Sequence, residues 1–257
     1  ALRHRPTSQI PWVPFAGVHA GRLVGRDATQ VLTDADALFE ALLAVNRLYK
    51  PHGQPIAFDL QIEAEILGCE LVWSKEGPPS VKTHPLADTM AVPCRCTLPR
   101  ETDGRIPLIL DVTRRMKKTV GADTALYGLV CGPFTLASHL RGNDLFMDLY
   151  DDGDYVRELL DYCTECAKAM SRYYAEAGAD VIATGMDAAA KVDASVQQRG
   201  AAEVGADLDP GPLGHGGFRE GDRPGERPSA VVVAEPLDEF DVGGEHLVDE
   251  PVGEQLV

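Results

Sequence analysis

Two short apolar runs, ALYGLVC (125–131) and ADVIAT (179–184), stand on either side of the longest amphipathic stripe in the chain. The stripe is Val156, Leu159, Leu160, Cys163, Ala167, Met170, Tyr174 and Ala177, at spacings of three and four. That period predicts one long helix with a single buried face. Asp151 to Asp154 offer N-caps, and Gly178 supplies a C-cap. Two apolar strands joined by a helix return in the same direction and form a parallel pair.

The same alternation extends toward the N-terminus. IPWVPFAG (10–17) predicts a first strand. Thr33 or Asp34 caps a helix with the apolar face Leu38, Leu42, Val45 and Tyr49, ended by Pro51 and Gly53. PIAFDL (55–60) predicts a second strand, QIEAEILG a short helix closing at Gly68, and CELVWS (69–74) an extended segment. Pro107 opens a helix that runs through Met116 to Val120. Four barrel-type strands therefore fall at 11–16, 55–60, 125–131 and 179–184. Eight are needed to close a (β/α)8 barrel. The expected fold is α/β, the first half of such a barrel, followed by an atypical, disordered acidic tail.

The chain divides near residue 187. Residues 1–187 hold every Cys, Trp, Tyr, Met, Ile, Thr and Asn, while 188–257 hold 15 acidic and 5 basic residues. DPGPLGHGGFREGDRPGERPS (209–229) has no periodicity and too little apolar surface to offset its ordering entropy. Within the tail only AVVVAEPLDEF (230–240) reads as a strand. The first domain is thus 1–187 and the low-complexity segment 188–257. A shifted reading frame in GC-rich DNA accounts for the tail's narrow alphabet and its abrupt start at a strand end. A native acidic extension and a gene fusion are the alternatives.

A net charge of -16 argues against nucleic acid and anionic membranes as partners. No apolar run approaches the roughly 20 residues of a membrane span. The opening ALRHRPTSQI is polar and basic, unlike a secretory leader, and it lacks an initiator methionine, as a processed or partial chain would. Six scattered cysteines (69, 94, 96, 131, 163 and 166) fit reduced thiols and a cytoplasmic location.

Chemistry-bearing residues gather where parallel strands end, the usual place for ligands in α/β proteins. In GLVCGPFTLASHLRG (128–142), Gly132 breaks a strand and Pro133 starts a helix, so Gly132 to His139, with Phe134 between them, form a candidate pocket wall. His139 is a candidate proton donor or acceptor, weighed against a rim or core histidine. Asp59, at the end of the second strand, is either a pocket anchor or an N-cap for the turn at 61–67. Glu63 on that turn faces either pocket or solvent, and His19 lies in the first strand–helix loop. Cys163 and Cys166 form a CxxC within the apolar stripe, which favours core packing over redox chemistry. CRC (94–96) lies in a Pro-flanked loop and offers half of a zinc site. RRMKK (114–118) reads as a solvated helix face.

The segments PFAGVHAGRLVG, GQPIAFDLQIEAEILGCELVWS, PPSVKTHPL, GLVCGPFTLASHLRG and YYAEAGADVIA together resemble the uroporphyrinogen decarboxylase superfamily over about residues 5–185. Within it they look closest to the methylcobamide:coenzyme M and related corrinoid-dependent methyltransferases. The resemblance implies a (β/α)8 barrel with its site at the carboxyl ends of the strands. True decarboxylases carry an arginine-rich motif after the first strand, where this chain has FAGVHAGR, with His19 and one Arg22. They carry a tyrosine in the segment where this chain has His139, and an aspartate that Asp59 matches. One feature of three is kept, which favours the methyltransferase branch.

That branch implies methyl transfer from a methylcorrinoid to a thiol, with Zn²⁺ holding the thiolate. It implies Asp59 and His139 as catalytic candidates, and His19, Glu63, Gly132 and Phe134 as substrate-binding ones. A corrinoid protein or small-molecule thiol is the implied partner. The family's zinc ligands are a His-x-Cys pair and a later Cys. None carries over to this chain, whose tail has His215 and His246 but no cysteine. The rival readings are a uroporphyrinogen decarboxylase and a non-catalytic fragment or binding half-barrel.

Overall fold

The computed structural model describes residues 10–185 and 230–233. The expected disordered tail, with His215 and His246, lies outside the described residues except for the segment 230–233. Four parallel strands form one sheet in the order β1 (Gly53–Pro55), β4 (Ala125–Cys131), β5 (Val181–Gly185) and β6 (Ala230–Val233). A small antiparallel pair, β2 (Leu71–Val72) with β3 (Ser80–Val81), stands apart from it. The helices are α1 (His19–Arg22), α2 (Ala28–Thr33), α3 (Ala35–Tyr49), α4 (Ile62–Ile66), α5 (Ile106–Val120), α6 (Pro133–Arg141), α7 (Leu145–Asp151) and α8 (Gly153–Ala177).

Strand β4 has the bounds its apolar run predicts, and it is buried along most of its length between β1 and β5. Such a central position in a parallel sheet requires a near-continuous apolar sequence. Helix α8 is capped by the Asp152 carboxylate, which accepts from Tyr155 N at 3.1 Å, and ends at Gly178 in the left-handed region. Asp34, not Thr33, caps α3 by accepting from the amides of Asp36 and Ala37. The apolar faces of α3, α5 and α8 close one core over the sheet, and those of α4, α6 and α8 a second. RRMKK is only partly the solvated face its charges suggest: Arg114 and Lys118 are exposed, Met116 is buried in the first core, and the half-buried Lys117 and Arg115 pair with Asp180 and with Asp36 and Asp111.

Two expected strands are corrected. Residues 11–16 form no strand. Pro11 and Pro14 have no N–H to donate, so the segment cannot sustain a ladder. It joins the neighbourhood of β1 through His52 N donating to Trp12 O at 3.0 Å and Trp12 N donating to His52 Nδ1 at 3.2 Å. The strand expected at 55–60 is instead Gly53–Pro55, and residues beyond Pro55 turn away toward α4. Helices α1, α2 and α7 are additions, each too short to announce itself by periodicity. Tail segment 230–233 pairs with β5 rather than standing alone.

One glycine on β4 is needed for close approach. A Cβ built on Gly128 would lie 2.5 Å from Tyr174 Cγ and 2.8 Å from its Cβ. Tyr174 is 1% exposed, so its ring has little room to retreat. Gly128→Ala is expected to lose about 1–3 kcal/mol as overpacking, read as a lower urea midpoint. Combined with Tyr174→Leu, it should lose less than the sum of the two single changes. Strict additivity would show that the ring and the strand are not in contact.

Candidate functional site

The carboxyl ends of β1 and β4 bring together residues distant in sequence. Past Pro55 the chain carries Asp59 into a turn, and α4 then presents Glu63. Glu63 Oε1 accepts from Cys131 N at 3.0 Å, which fastens α4 to the last residue of β4. Gly132 follows at once as the N-cap of α6, with extended backbone, and its carbonyl accepts from Leu136 N at 2.9 Å. Asp59, Glu63 and Gly132 therefore meet at one end of the sheet, as the strand-end reading requires.

Asp59 is not the N-cap of α4, which is Gln61 without a side-chain cap; it braces the turn before that helix. Its Oδ1 accepts from Gln61 N at 2.9 Å and shapes the turn. Its Oδ2 accepts from Arg105 Nη1 at 2.5 Å, and its side chain is fully buried. Arg105 also donates from Nε to Glu65 Oε2 at 2.8 Å, and its Nη1 reaches Leu32 O at 3.4 Å. Its guanidinium carbon lies 4.9 Å from the centre of the Trp73 ring. Burial works against the charge on Arg105, but Asp59 and Glu65 hold its pKa above the ordinary value. The remaining nitrogen, Nη2, is buried without a hydrogen-bond partner.

Glu63 is the most perturbed carboxyl in this cluster. Burial pushes its pKa up to about 7, against the opposing effect of the Cys131 amide, and the Asp59 carboxylate adds to the rise. A carboxyl poised there changes protonation near neutrality, which suits a group that takes up or gives back a proton. Behind it, Tyr174 has a buried hydroxyl without a hydrogen-bond partner, and burial followed by the charges of Glu63 and Asp59 pushes its pKa far up. Cys163 and Cys166 are buried, and burial raises both thiols, Cys166 to about 12. They are neutral core thiols.

The other sequence candidates lie elsewhere. His19 is exposed, and its Nε2 meets the Tyr49 hydroxyl at 3.4 Å. Arg22 is exposed on the same short helix. Phe134 is 8% exposed and packs edge-to-face with Phe146, so it belongs to the second core. The contacts described for His139 run through its carbonyl, which accepts from His84 Nδ1 at 2.7 Å and from the Cys69 thiol at 3.4 Å. Sequence reading missed Arg105 altogether. The signal it left was one arginine, just ahead of a helix, whose partner Asp59 is 46 residues away.

Beside the cluster, Phe58 and Phe15 stack edge-to-face with centroids 5.9 Å apart, both roughly half exposed. An apolar crevice of about 20 Å³ runs between Ala57, Phe58, Leu32 and Leu38. It is about the size of one water molecule. A larger ligand does not fit within it. Among the described residues, no group of three or more His, Cys, Asp or Glu is placed to hold a metal ion. The sequence also contains no His-x-Cys, so the residues present do not fit the zinc that the resemblance implies. No helix among the described residues is long and apolar enough to cross a membrane.

Comparison with known proteins places this arrangement. A family model described as uroporphyrinogen decarboxylase (URO-D) matches residues 1–192. Methylcobamide:CoM methyltransferase MtbA of Methanosarcina acetivorans is 28% identical over 187 residues, covering 71% of this chain and 55% of that protein. MtaA of Methanosarcina barkeri is 30% identical over 191 residues, with the same two coverages. A solved methyltransferase from Methanosarcina mazei superposes with a TM-score of 0.66 at 26% identity, covering 79% of this chain and 64% of that one. The chain thus spans about half the length of the curated relatives it matches.

Proposed function

Since this chain belongs to the uroporphyrinogen decarboxylase (URO-D) family, we propose that it serves the corrinoid-dependent methyltransferase chemistry of that family, the transfer of a methyl group from a methylcorrinoid to a thiol. The observation that carries this choice over decarboxylation is that, among the described residues, the strand-end cluster holds one guanidinium, Arg105. Arg105 is already engaged by Asp59 and Glu65, with one nitrogen to spare. A porphyrinogen with many carboxylates needs several unspent cations in bidentate reach. The relatives bearing methylcobamide:CoM methyltransferase names supply the substrate class.

In this reading the thiol sulfur attacks the methyl carbon, the carbon–cobalt bond breaks with its electron pair left on cobalt, and the thiol proton must be removed. Glu63 is the group suited to take that proton, because its carboxyl titrates near neutrality. Asp59, fixed by Arg105, shapes the turn that carries Glu63, and Gly132 ends β4 beside it. The half-exposed Phe15–Phe58 pair offers an apolar surface beside the cluster. His19 and His139 keep a binding and a proton-handling role respectively only if the bound substrate reaches them. A cytoplasmic setting, with reduced thiols, belongs to the same reading.

The test is thioether formation from methylcob(III)alamin and 2-mercaptoethanesulfonate. The chain is expected to accelerate it, and Glu63→Gln to slow it by about 100-fold, the low end of what a positioned base contributes. No thioether above the uncatalysed rate would overturn the proposal, and carbon dioxide release from uroporphyrinogen in its place would move the chain to the decarboxylase branch.

A further inference from the structure

Cys94 and Cys96 remain outside the strand-end site and outside both cores. They are the two exposed cysteines; Cys69, Cys131, Cys163 and Cys166 are all buried. Cys94 precedes a short 3-10 turn, Arg95–Thr97, and Cys96 lies within it. The Cys94 sulfur accepts from Cys96 N at 3.2 Å, so the turn folds the second cysteine back onto the first. The turn is anchored independently of the thiols. Thr97 Oγ1 lies 2.7 Å from Cys94 O and 2.9 Å from the Tyr162 hydroxyl on α8, and Pro99 O accepts from Tyr173. Pro93 and Pro99 stiffen the flanks. Two accessible sulfurs are thus held side by side on a fixed scaffold, with the cations Arg95 and Arg100 nearby in sequence.

We propose that Cys94 and Cys96 form a redox-active dithiol that exchanges with small-molecule disulfides. Cys94 is the attacking group and Cys96 the resolving one. The Cys94 sulfur, as thiolate, attacks one sulfur of RSSR; that bond breaks, and RS⁻ leaves and takes up a proton. Cys96 then loses its proton and attacks the Cys94 sulfur of the mixed disulfide, expelling the second RS⁻. The protein gives up two electrons and two hydrogens and closes a Cys94–Cys96 bridge, while RSSR becomes two RSH. The division of labour agrees with the asymmetry of the pair. The side-chain hydrogen bond with Cys96 lowers the pKa of Cys94, and the same bond raises that of Cys96. The more acidic and exposed thiol is the faster attacker near neutral pH. A bridge across one intervening residue closes a small, strained ring, and strained bridges are readily reduced. The product is therefore a reversible switch. The dithiol is separate from Asp59 and Glu63, so its chemistry stands or falls independently of methyl transfer.

The bond between Arg95 and Cys96 gives a direct readout, because trypsin cleaves there and separates the two cysteines into fragments 83–95 and 96–100. After equilibration of the folded chain with oxidised glutathione and alkylation of remaining thiols, the two fragments should stay linked in monomeric protein and separate on adding dithiothreitol. Cys96→Ser should instead retain glutathione on Cys94, as a mixed disulfide with no resolving partner. Fragments that stay unlinked at every ratio of oxidised to reduced glutathione would overturn the proposal, as would linkage found only in covalent dimers. So would a Cys96→Ser chain whose glutathione sits on a buried cysteine.

Discussion

Arg105→Met is expected to lower stability by about 3–5 kcal/mol, the cost of leaving a buried carboxylate without its partner. The Asp59 side chain is fully buried and that of Arg105 is 11% exposed, so solvent screens the pair little. The loss is compounded because the same guanidinium also reaches Glu65 and packs over Trp73. Arg105→Lys keeps the charge but cannot hold Asp59 and Glu65 with one planar fork, so it should recover only part of the loss. The pair is separated from its surroundings by adding Asp59→Leu to Arg105→Met. Removing both charges leaves nothing unpaired, and the double variant should be more stable than Arg105→Met alone. Urea midpoints of the four chains measure this directly. A loss below about 1 kcal/mol for Arg105→Met, the worth of an exposed pair, would show that Asp59 is solvated.

The importance of Arg105 could not have been read from the sequence, and the reason is physical. Sequence patterns report what happens within one element or between its neighbours. The apolar run at 125–131 gave β4 its bounds because most of its residues are buried by adjacent strands and helices. The stripe from Val156 to Ala177 gave α8 for the same reason, and Pro107 and Gly121 framed α5. Asp59, Glu63 and Gly132 were legible as strand-end residues because each lies just past an apolar run. Arg105 has no such local signature: a pairing across 46 residues is set by where the start of α5 meets the turn ahead of α4, which no local period encodes. The strand expected at 11–16 failed on a competing local rule. Its residues are apolar throughout, but two prolines remove the donors that a ladder requires. The burial of Glu63 was equally invisible, since an IEAEI turn looks alike whether its first glutamate faces solvent or the end of β4.

That burial sets the second large effect, on pH dependence. The carboxyl of Glu63 is raised from 4.5 to about 7 by burial, so the folded chain holds a proton that the unfolded chain has already lost between those values. A group with a raised folded pKa contributes stability that is fully present below the unfolded pKa and is lost as pH rises through the folded one. For Glu63 the window runs from about 4.5 to about 7. A tenfold change in proton affinity is worth about 1.4 kcal/mol, so as much as about 3 kcal/mol is at stake. Glu63→Gln stays neutral at every pH and keeps an oxygen to accept from Cys131 N. It should therefore match the parent near pH 4.5 and exceed it in stability by pH 8. The difference in melting temperature between the two chains should grow across that window and level off above it. A difference that stays flat from pH 4.5 to 8 would show that Glu63 is ionised in the folded chain throughout, and a base of that kind would titrate too low to take a thiol proton near neutrality. Growth of the difference together with the loss of thioether formation in Glu63→Gln would tie both properties to one buried carboxyl: the neutrality that favours the fold at low pH is the same proton affinity that the transfer requires.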